Sequence, residues 1–199
     1  QDIVAINNPT ERFALRRGPA RVLILGGSRG ADAINRTMCD VFRGWSAGPL
    51  PLIWHQVGKA NLQSMSQAYQ EVSSTAIVEA FIDDMAAAYE WADIVVARSG
   101  ALTVSEIAAT GLASILIPYP HAVDNHQFHN AKYLQQVGAA VIMCQEDLSV
   151  EKLRTLLVQW CDNRQQIVAM AESARGVGSH TAGSKIIAIC ENVVRKRQG

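Results

Sequence analysis

Three stretches of the chain concentrate residue types that bind ligands or move protons. The first is Arg98-Ser99-Gly100-Ala101-Leu102-Thr103-Val104-Ser105-Glu106, which offers hydroxyls, backbone N–H groups and one carboxylate. A carboxylate in that company accepts two hydrogen bonds from neighbouring hydroxyls, as a ribose diol would supply. Glu106 equally fits a first-turn acid serving the helix dipole, with Thr103 or Ser105 as cap. The second stretch is Gly26-Gly27-Ser28-Arg29-Gly30. Small residues there let an anion approach the backbone, with Arg29 adding charge from the rim, although a tight turn without a ligand has the same spacing. The third, Pro118 to Asn130, is dense in His, Asn, Gln and Asp. Gln127 and Asn130 suit sugar hydroxyls, and a plain capping loop stays open. His121, His126 and His129 invite a metal, but neither thiolates nor an HExxH pattern accompany them. No metal or cofactor is expected.

Each stretch sits where a strand turns into a helix. Arg21 to Leu25 is an apolar run of strand length before the glycine loop, and Ala31 to Phe42 follows with Ile34, Met38, Val41 and Phe42 at helical spacing. Further strands are expected at 50–57, 75–80, 93–97, 114–117 and 139–144. Helices are expected at about 59–69, from Met85, from Thr103 to Gly111, 125–137, 150–160, 164–174 and 184–194, with a breaker at 176–180. Ile3 to Ile6 reads as a weak strand and Asn7 to Thr10 as a turn. Six strands alternating with helices predict an α/β fold, a Rossmann-like parallel six-stranded sheet with helices on both faces. Ligands of such sheets bind at the carboxyl ends of the strands.

Composition narrows the partners. The chain has 199 residues, about half apolar, and 18 Lys and Arg balance 18 Asp and Glu. A nucleic-acid-binding domain would carry a basic surplus, so nucleic acid is not an expected partner. Cys39, Cys144, Cys161 and Cys190 are widely spaced, as expected of buried thiols in a reducing compartment. No apolar run reaches membrane-span length. The glycine loop is neither G-x-G-x-x-G with an acid about twenty residues on nor a Walker loop, which points to a phosphate-bearing ligand other than NAD or a P-loop nucleotide. Without a G-x-S-x-G elbow, Ser28 and Ser99 are poor nucleophiles.

Taken in order and spacing, four motifs resemble the donor-binding half of the MurG family of peptidoglycan N-acetylglucosaminyltransferases. They are Gly26 to Ala31, Phe81-Ile82-Asp83-Asp84-Met85, Arg98 to Glu106, and Pro118-Tyr119-Pro120 with His126-Gln127 and Asn130-Ala131. The match runs from about Asn8 to Asn163. The resemblance implies the C-terminal domain of a GT-B enzyme, two Rossmann-like domains facing across a cleft. Residues 1–18 would link to a missing N-terminal domain, 19–180 would bind UDP-GlcNAc, and 181–199 would form a helix packing on the missing domain.

The resemblance also implies roles. Gly27, Ser28 and Arg29 would face the diphosphate, Ile82 the uracil through its backbone with Met85 close by, and Ala101, Leu102 and Thr103 the sugar-phosphate path. Glu106 would hold the ribose, and His126 with Gln127 the GlcNAc hydroxyls. The family's Gly-Asn-Pro-x-Arg appears here as Asn7-Asn8-Pro9-Thr10-Glu11. A shift of one residue would then offer Arg12 to the phosphates. The implied reaction is inverting transfer of GlcNAc to the MurNAc 4-hydroxyl of lipid I, forming lipid II, at the cytoplasmic face of the bacterial inner membrane beside cell-wall and division proteins. No catalytic base is assigned within the chain, so the fragment alone is expected to bind donor without turnover. Another GT-B or epimerase-type sugar-nucleotide enzyme and a non-catalytic docking domain are the competing readings.

Overall fold

The computed structural model describes residues 3–26, 32–122 and 125–178. Its centre is one parallel sheet of six strands: β1 (Arg21–Leu25), β2 (Leu52–Gln56), β3 (Ile77–Glu79), β4 (Ile94–Ala97), β5 (Ala113–Leu116) and β6 (Ala140–Ile142). Their spatial order is β3-β2-β1-β4-β5-β6. Leu23 pairs with Trp54 on one side and Val95 on the other, so β1 is central. The helices are α1 (Pro9–Ala14), α2 (Asp32–Arg43), α3 (Leu62–Gln70), α4 (Met85–Trp91), α5 (Ala101–Thr110), α6 (His126–Gln135) and α7 (Val150–Asp162), then α8 over residues 164–178. The expected class and strand count match; β1 has its expected bounds, β5 is shifted by one residue, and the other four strands are shorter than their apolar runs.

Alternation along the strands builds two cores. Val22, Ile24, Ile94, Val96 and Ile115 face one cluster, filled by Ile34, Met38 and Phe42 of α2 and by Leu153, Leu157 and Trp160 of α7. Leu23, Leu25, Val95 and Leu116 face the other, filled from α4, α5 and α6 by residues such as Tyr89, Ile107 and Leu134. Both faces are buried, which is why these strands read as unbroken apolar runs. The α8 helix serves both, placing Ile167 and Met170 in the first core and Ala174 in the second.

The first and last described segments depart from the sequence reading. Residues 3–5 form a 3-10 turn, not a strand. Ile3 and Ile6, three apart, both pack on the second core, as the three-residue repeat of that turn allows. Asn7 to Thr10 is not a simple turn either, because Asn8 accepts from the Glu11 N–H at 3.0 Å and caps α1, with Pro9 in its first turn. Phe13 of this segment is buried in the first core. At the other end, the expected breaker is helical as far as residue 178. Glycine there is a packing requirement, since a Cβ at Gly178 would lie 2.3 Å from the Ala108 carbonyl oxygen. The expected helix at 184–194 lies outside the described residues.

Two buried polar clusters fasten the sheet. At its amino edge Arg16 and Asp93 form an ion pair at 2.8 Å, with side chains 7% and 2% exposed. Arg16 also donates to the Trp91 and Glu90 carbonyls, and Asp93 accepts from the Arg21 N–H at 3.0 Å. Burial pushes the Asp93 carboxyl up and the Arg16 guanidinium down, each opposed by the partner's charge. In the second cluster, Asn35 of α2 donates its amide to the Val57 carbonyl at 2.9 Å. That turns its oxygen towards His55 Nε2 (3.1 Å), which must carry the proton, and leaves Nδ1 to accept from the Tyr69 hydroxyl at 2.9 Å. The imidazole is neutral, its pKa lowered by burial from 6.5 to about 3.

These clusters make two predictions. Asp93→Ala leaves a buried guanidinium without its charge partner and lowers unfolding stability by roughly 3–5 kcal/mol. Adding Arg16→Met recovers a large part of that loss, as urea denaturation of the single and double variants will measure. For His55 the unfolded chain binds the extra proton first, so stability falls as pH drops from about 6.5 towards about 3. This histidine contributes a slope of roughly 1.4 kcal/mol per pH unit. Over that range, urea midpoints of wild type should fall more steeply than those of His55→Gln. Equal slopes would mean that His55 is not held neutral.

Candidate functional site

The strand order places the site. Connections leave β1 and β4, the two neighbours at the sheet's centre, for opposite faces, and the crevice outside their carboxyl ends is where ligands of such sheets lie. Gly26, the first residue of the glycine stretch, follows β1 there, its N–H donating to the Gln56 carbonyl at 3.0 Å. Gly27, Ser28 and Arg29 themselves lie outside the described residues. On the other side of the crevice β4 runs through Arg98-Ser99-Gly100 into α5.

The start of α5 is built to leave donors open. Its N-cap is Gly100, and no side chain caps it. The Ala101, Leu102 and Thr103 amides therefore belong to the helix's orphan donors, and Leu102 is 72% exposed. One residue earlier, Ser99 is fully buried, and its hydroxyl bonds to no described residue. A buried hydroxyl without a partner is costly, and ligand sites are where such groups recur.

The α5 helix starts two residues before the expected Thr103, and this changes the meaning of Glu106. It falls in the second turn, beyond the first-turn reach of the dipole and of capping. What engages its carboxylate instead is the buried Tyr89 of α4, whose hydroxyl donates to Glu106 Oε2 at 2.8 Å. Ile82 and Met85 lie at the entrance of that same α4. Asp84 caps the helix through the Ala87 N–H at 2.9 Å. Ile82 is buried and its N–H leans on Gln56 Oε1 at 3.4 Å, while Met85 is half-buried.

The third stretch closes the other flank. His126, exposed, and Gln127, half-buried, open α6 after Asn125, which adopts φ 51°. The Gln127 amide oxygen accepts from the Tyr119 N–H at 2.9 Å, which aims the amide's NH2 group. Asn130 is tied to the turn before α5, its NH2 group donating to the Ser99 carbonyl at 3.1 Å. Arg98, passed over in the sequence, clamps this flank by donating to the Ile117 and Pro118 carbonyls, each at 3.1 Å, and to Gln145. Its guanidinium also lies 5.5 Å from the Tyr119 ring centroid. Among the described residues His121, His126 and His129 do not converge as metal ligands.

One expected residue is not brought to the site. The Arg12 guanidinium is buried at the far end of α5, donating to the Thr110 carbonyl at 3.0 Å and the Gly111 carbonyl at 2.5 Å. There it complements the negative pole of the helix. A helix of ten residues is about 15 Å long, so the shift that would bring Arg12 to the phosphates does not occur. The sequence signal was the spacing itself. With Asn8 capping and Pro9 leading, Arg12 is fixed in a helix whose buried side faces the end of α5.

Comparison with known proteins agrees with this geometry. The family model of the glycosyltransferase family 28 C-terminal domain matches residues 21–186. The UDP-N-acetylglucosamine--N-acetylmuramyl-(pentapeptide) pyrophosphoryl-undecaprenol N-acetylglucosamine transferase of Coxiella burnetii (strain RSA 493 / Nine Mile phase I) is 44% identical over 196 residues, 98% of this chain and 55% of its own length. The protein of the same name from Shewanella frigidimarina is 47% identical over 178 residues, 88% of this chain and 48% of its own. The chain thus spans about half the length of the curated relatives it matches. The crystal structure of Acinetobacter baumannii MurG superposes with a TM-score of 0.80 at 34% identity, over 88% of this chain and 50% of that one. The glycosyltransferase VinC, at 17% identity and TM-score 0.65 over 97% of this chain and 45% of its own, shares the fold. A family model that covers most of the chain, on a sheet of this order, makes the chain a member of the glycosyltransferase family 28 C-terminal domain family.

Proposed function

We propose that the chain is the donor-binding half of an enzyme that transfers GlcNAc from UDP-GlcNAc to the MurNAc 4-hydroxyl of lipid I, with inversion, to form lipid II. The observation that carries the reading is the Glu106 carboxylate. It stands in the second turn of α5 beside the crevice, bonded to Tyr89 and with no ion-pair partner among the described residues. Such a group suits a cis-diol, which donates two hydrogen bonds to one carboxylate. The names and identities of the relatives narrow the diol to the ribose of UDP-GlcNAc.

The remaining roles follow from that anchor. Uracil lies against the Ile82 backbone and Met85, and the diphosphate between the glycine loop (Gly27, Ser28, Arg29) and the open amides of Ala101, Leu102 and Thr103. His126 and the NH2 group of Gln127 serve the GlcNAc hydroxyls. As the acceptor hydroxyl attacks the anomeric carbon and UDP departs, charge grows on the diphosphate. Oriented N–H groups and an arginine stabilise it there, and no step calls for a metal. We assign none of these residues to deprotonate the acceptor, and read the base and the lipid I site as belonging to the other half of the protein. That protein works at the cytoplasmic face of the inner membrane, as a peripheral partner of cell-wall machinery. No helix among the described residues is long and apolar enough to cross a membrane.

Calorimetric titration tests the reading. The chain should bind UDP-GlcNAc and UDP saturably and ignore NAD. Glu106→Ala should weaken both uridine nucleotides by roughly ten- to a hundredfold, the loss of hydrogen bonds to a charged acceptor. Binding that is indifferent to Glu106→Ala would remove the ribose role, and tighter binding of NAD would remove the donor assignment altogether.

A further inference from the structure

We infer that Tyr89 is a positioning residue of the donor site, its phenol holding the Glu106 carboxylate in the orientation that meets a ribose diol. The inference deepens the proposed function and depends on its reading of Glu106. Three observations carry it. Tyr89 is fully buried in the second core, so its ring is fixed by packing. Its hydroxyl donates to Glu106 Oε2 at 2.8 Å, across from α4 to α5. Glu106 is only half-buried, and among the described residues no cation and no helix cap restrains it.

A long carboxylate side chain at the surface visits several rotamers, and a ligand must select one of them at a cost in affinity. A hydrogen bond from a rigid ring removes much of that freedom beforehand. The arithmetic of acceptor sites leaves room for the ligand as well. A carboxylate offers about four lone-pair positions, Tyr89 occupies one, and a diol needs two. Burial and the neighbouring carboxylate push the Tyr89 pKa far up, so the phenol stays a donor at any ordinary pH. Because Ile82 and Met85 stand at the head of α4, the bond also ties the base-facing helix to the ribose-facing one.

A buried phenol needs an acceptor wherever it sits, so loss of stability alone would not distinguish positioning from packing. The discriminating readout is dependence on the ligand's own hydroxyls. The chain, Tyr89→Phe and, as reference, Glu106→Ala are titrated with UDP and with 2′,3′-dideoxy-UDP. Wild type should prefer UDP. In Tyr89→Phe that preference should shrink roughly fivefold, while affinity for the dideoxy nucleotide stays close to wild type. An unchanged preference, or an equal loss for both nucleotides, would overturn the positioning role while leaving Glu106 in place. If instead wild type bound both nucleotides alike, or the preference survived Glu106→Ala, the proposed function would fail first and the inference with it.

Discussion

Everything in this domain depends on β1 pairing in parallel with neighbours on both sides, β2 and β4. Parallel strands cannot be joined by a tight turn, so each connection crosses back over a face of the sheet through a helix. Crossovers of one hand put successive helices on the same face until strand order reverses. Here it reverses at β1, since β2 and β3 add on one side and β4, β5 and β6 on the other. The consequences are fixed by that pairing. Two apolar layers form, strand carboxyl ends collect on one edge, and helix N-termini open towards a shared crevice. The same pairing buries β1 and β4 on both faces, which their sequences show as runs without alternation.

The two edges are finished with different chemistry. At the amino edge the buried groups are charged and paired with each other, as Arg16 is with Asp93. Removing either member strands a charge, so this edge is stiff and tolerates little change. At the carboxyl edge the bonds are mostly between neutral groups, or from a neutral donor to an ion. Gln127 accepts from Tyr119, Asn130 donates to Ser99, and Tyr89 donates to Glu106. Arg98, the charged member, is spent on backbone carbonyls and Gln145, bracing the turn after β5. Such bonds orient side chains without neutralising them. A carboxylate that met an arginine would have its charge answered before any ligand came.

How far the sequence reveals this differs from element to element. The strands are legible because burial on both faces makes each a short apolar run, and Gly111 (φ 65°) marks the end of α5 by supplying the left-handed residue its C-terminus requires. Boundaries are less legible where a helix starts without a polar cap. Gly100 carries no side chain to announce the start of α5, so the sequence presents Thr103 as the beginning and Glu106 as a first-turn acid. The converse holds at α1, where Asn8 and Pro9 are a cap and first turn that four apolar residues upstream conceal. Residues that act through others are hardest to find. Tyr89 lies in an alanine-rich segment that reads as core, and it is core, since only its hydroxyl reaches the site. Gly176 and Gly178 looked like helix breakers because composition cannot show that a neighbouring backbone, at Ala108, leaves no space for a Cβ at Gly178.

The two ends of α5 explain why Arg12 could not have served as the sequence invited. A helix in a crevice of this kind is useful only if its positive pole stays accessible, so it must be held from elsewhere. The C-terminal carbonyls of α5 supply that hold. Arg12 takes Thr110 and Gly111, Arg175 takes Ala109, and Gly111 folds its own N–H back to Ile107 and Ala108. Burial pulls the Arg12 pKa down to about 10, which still leaves it charged at neutral pH and aligned with the helix dipole. Two arginines anchor the negative pole, while at the positive pole the cap is a glycine and the first amides have no side-chain partner. Moving Arg12 to the phosphates would open that anchor and leave buried carbonyls unsatisfied, exchanging a contact with a transient ligand for a permanent defect. The sequence offers an arginine close to the family's position, but the fold already requires it at the other end of the helix.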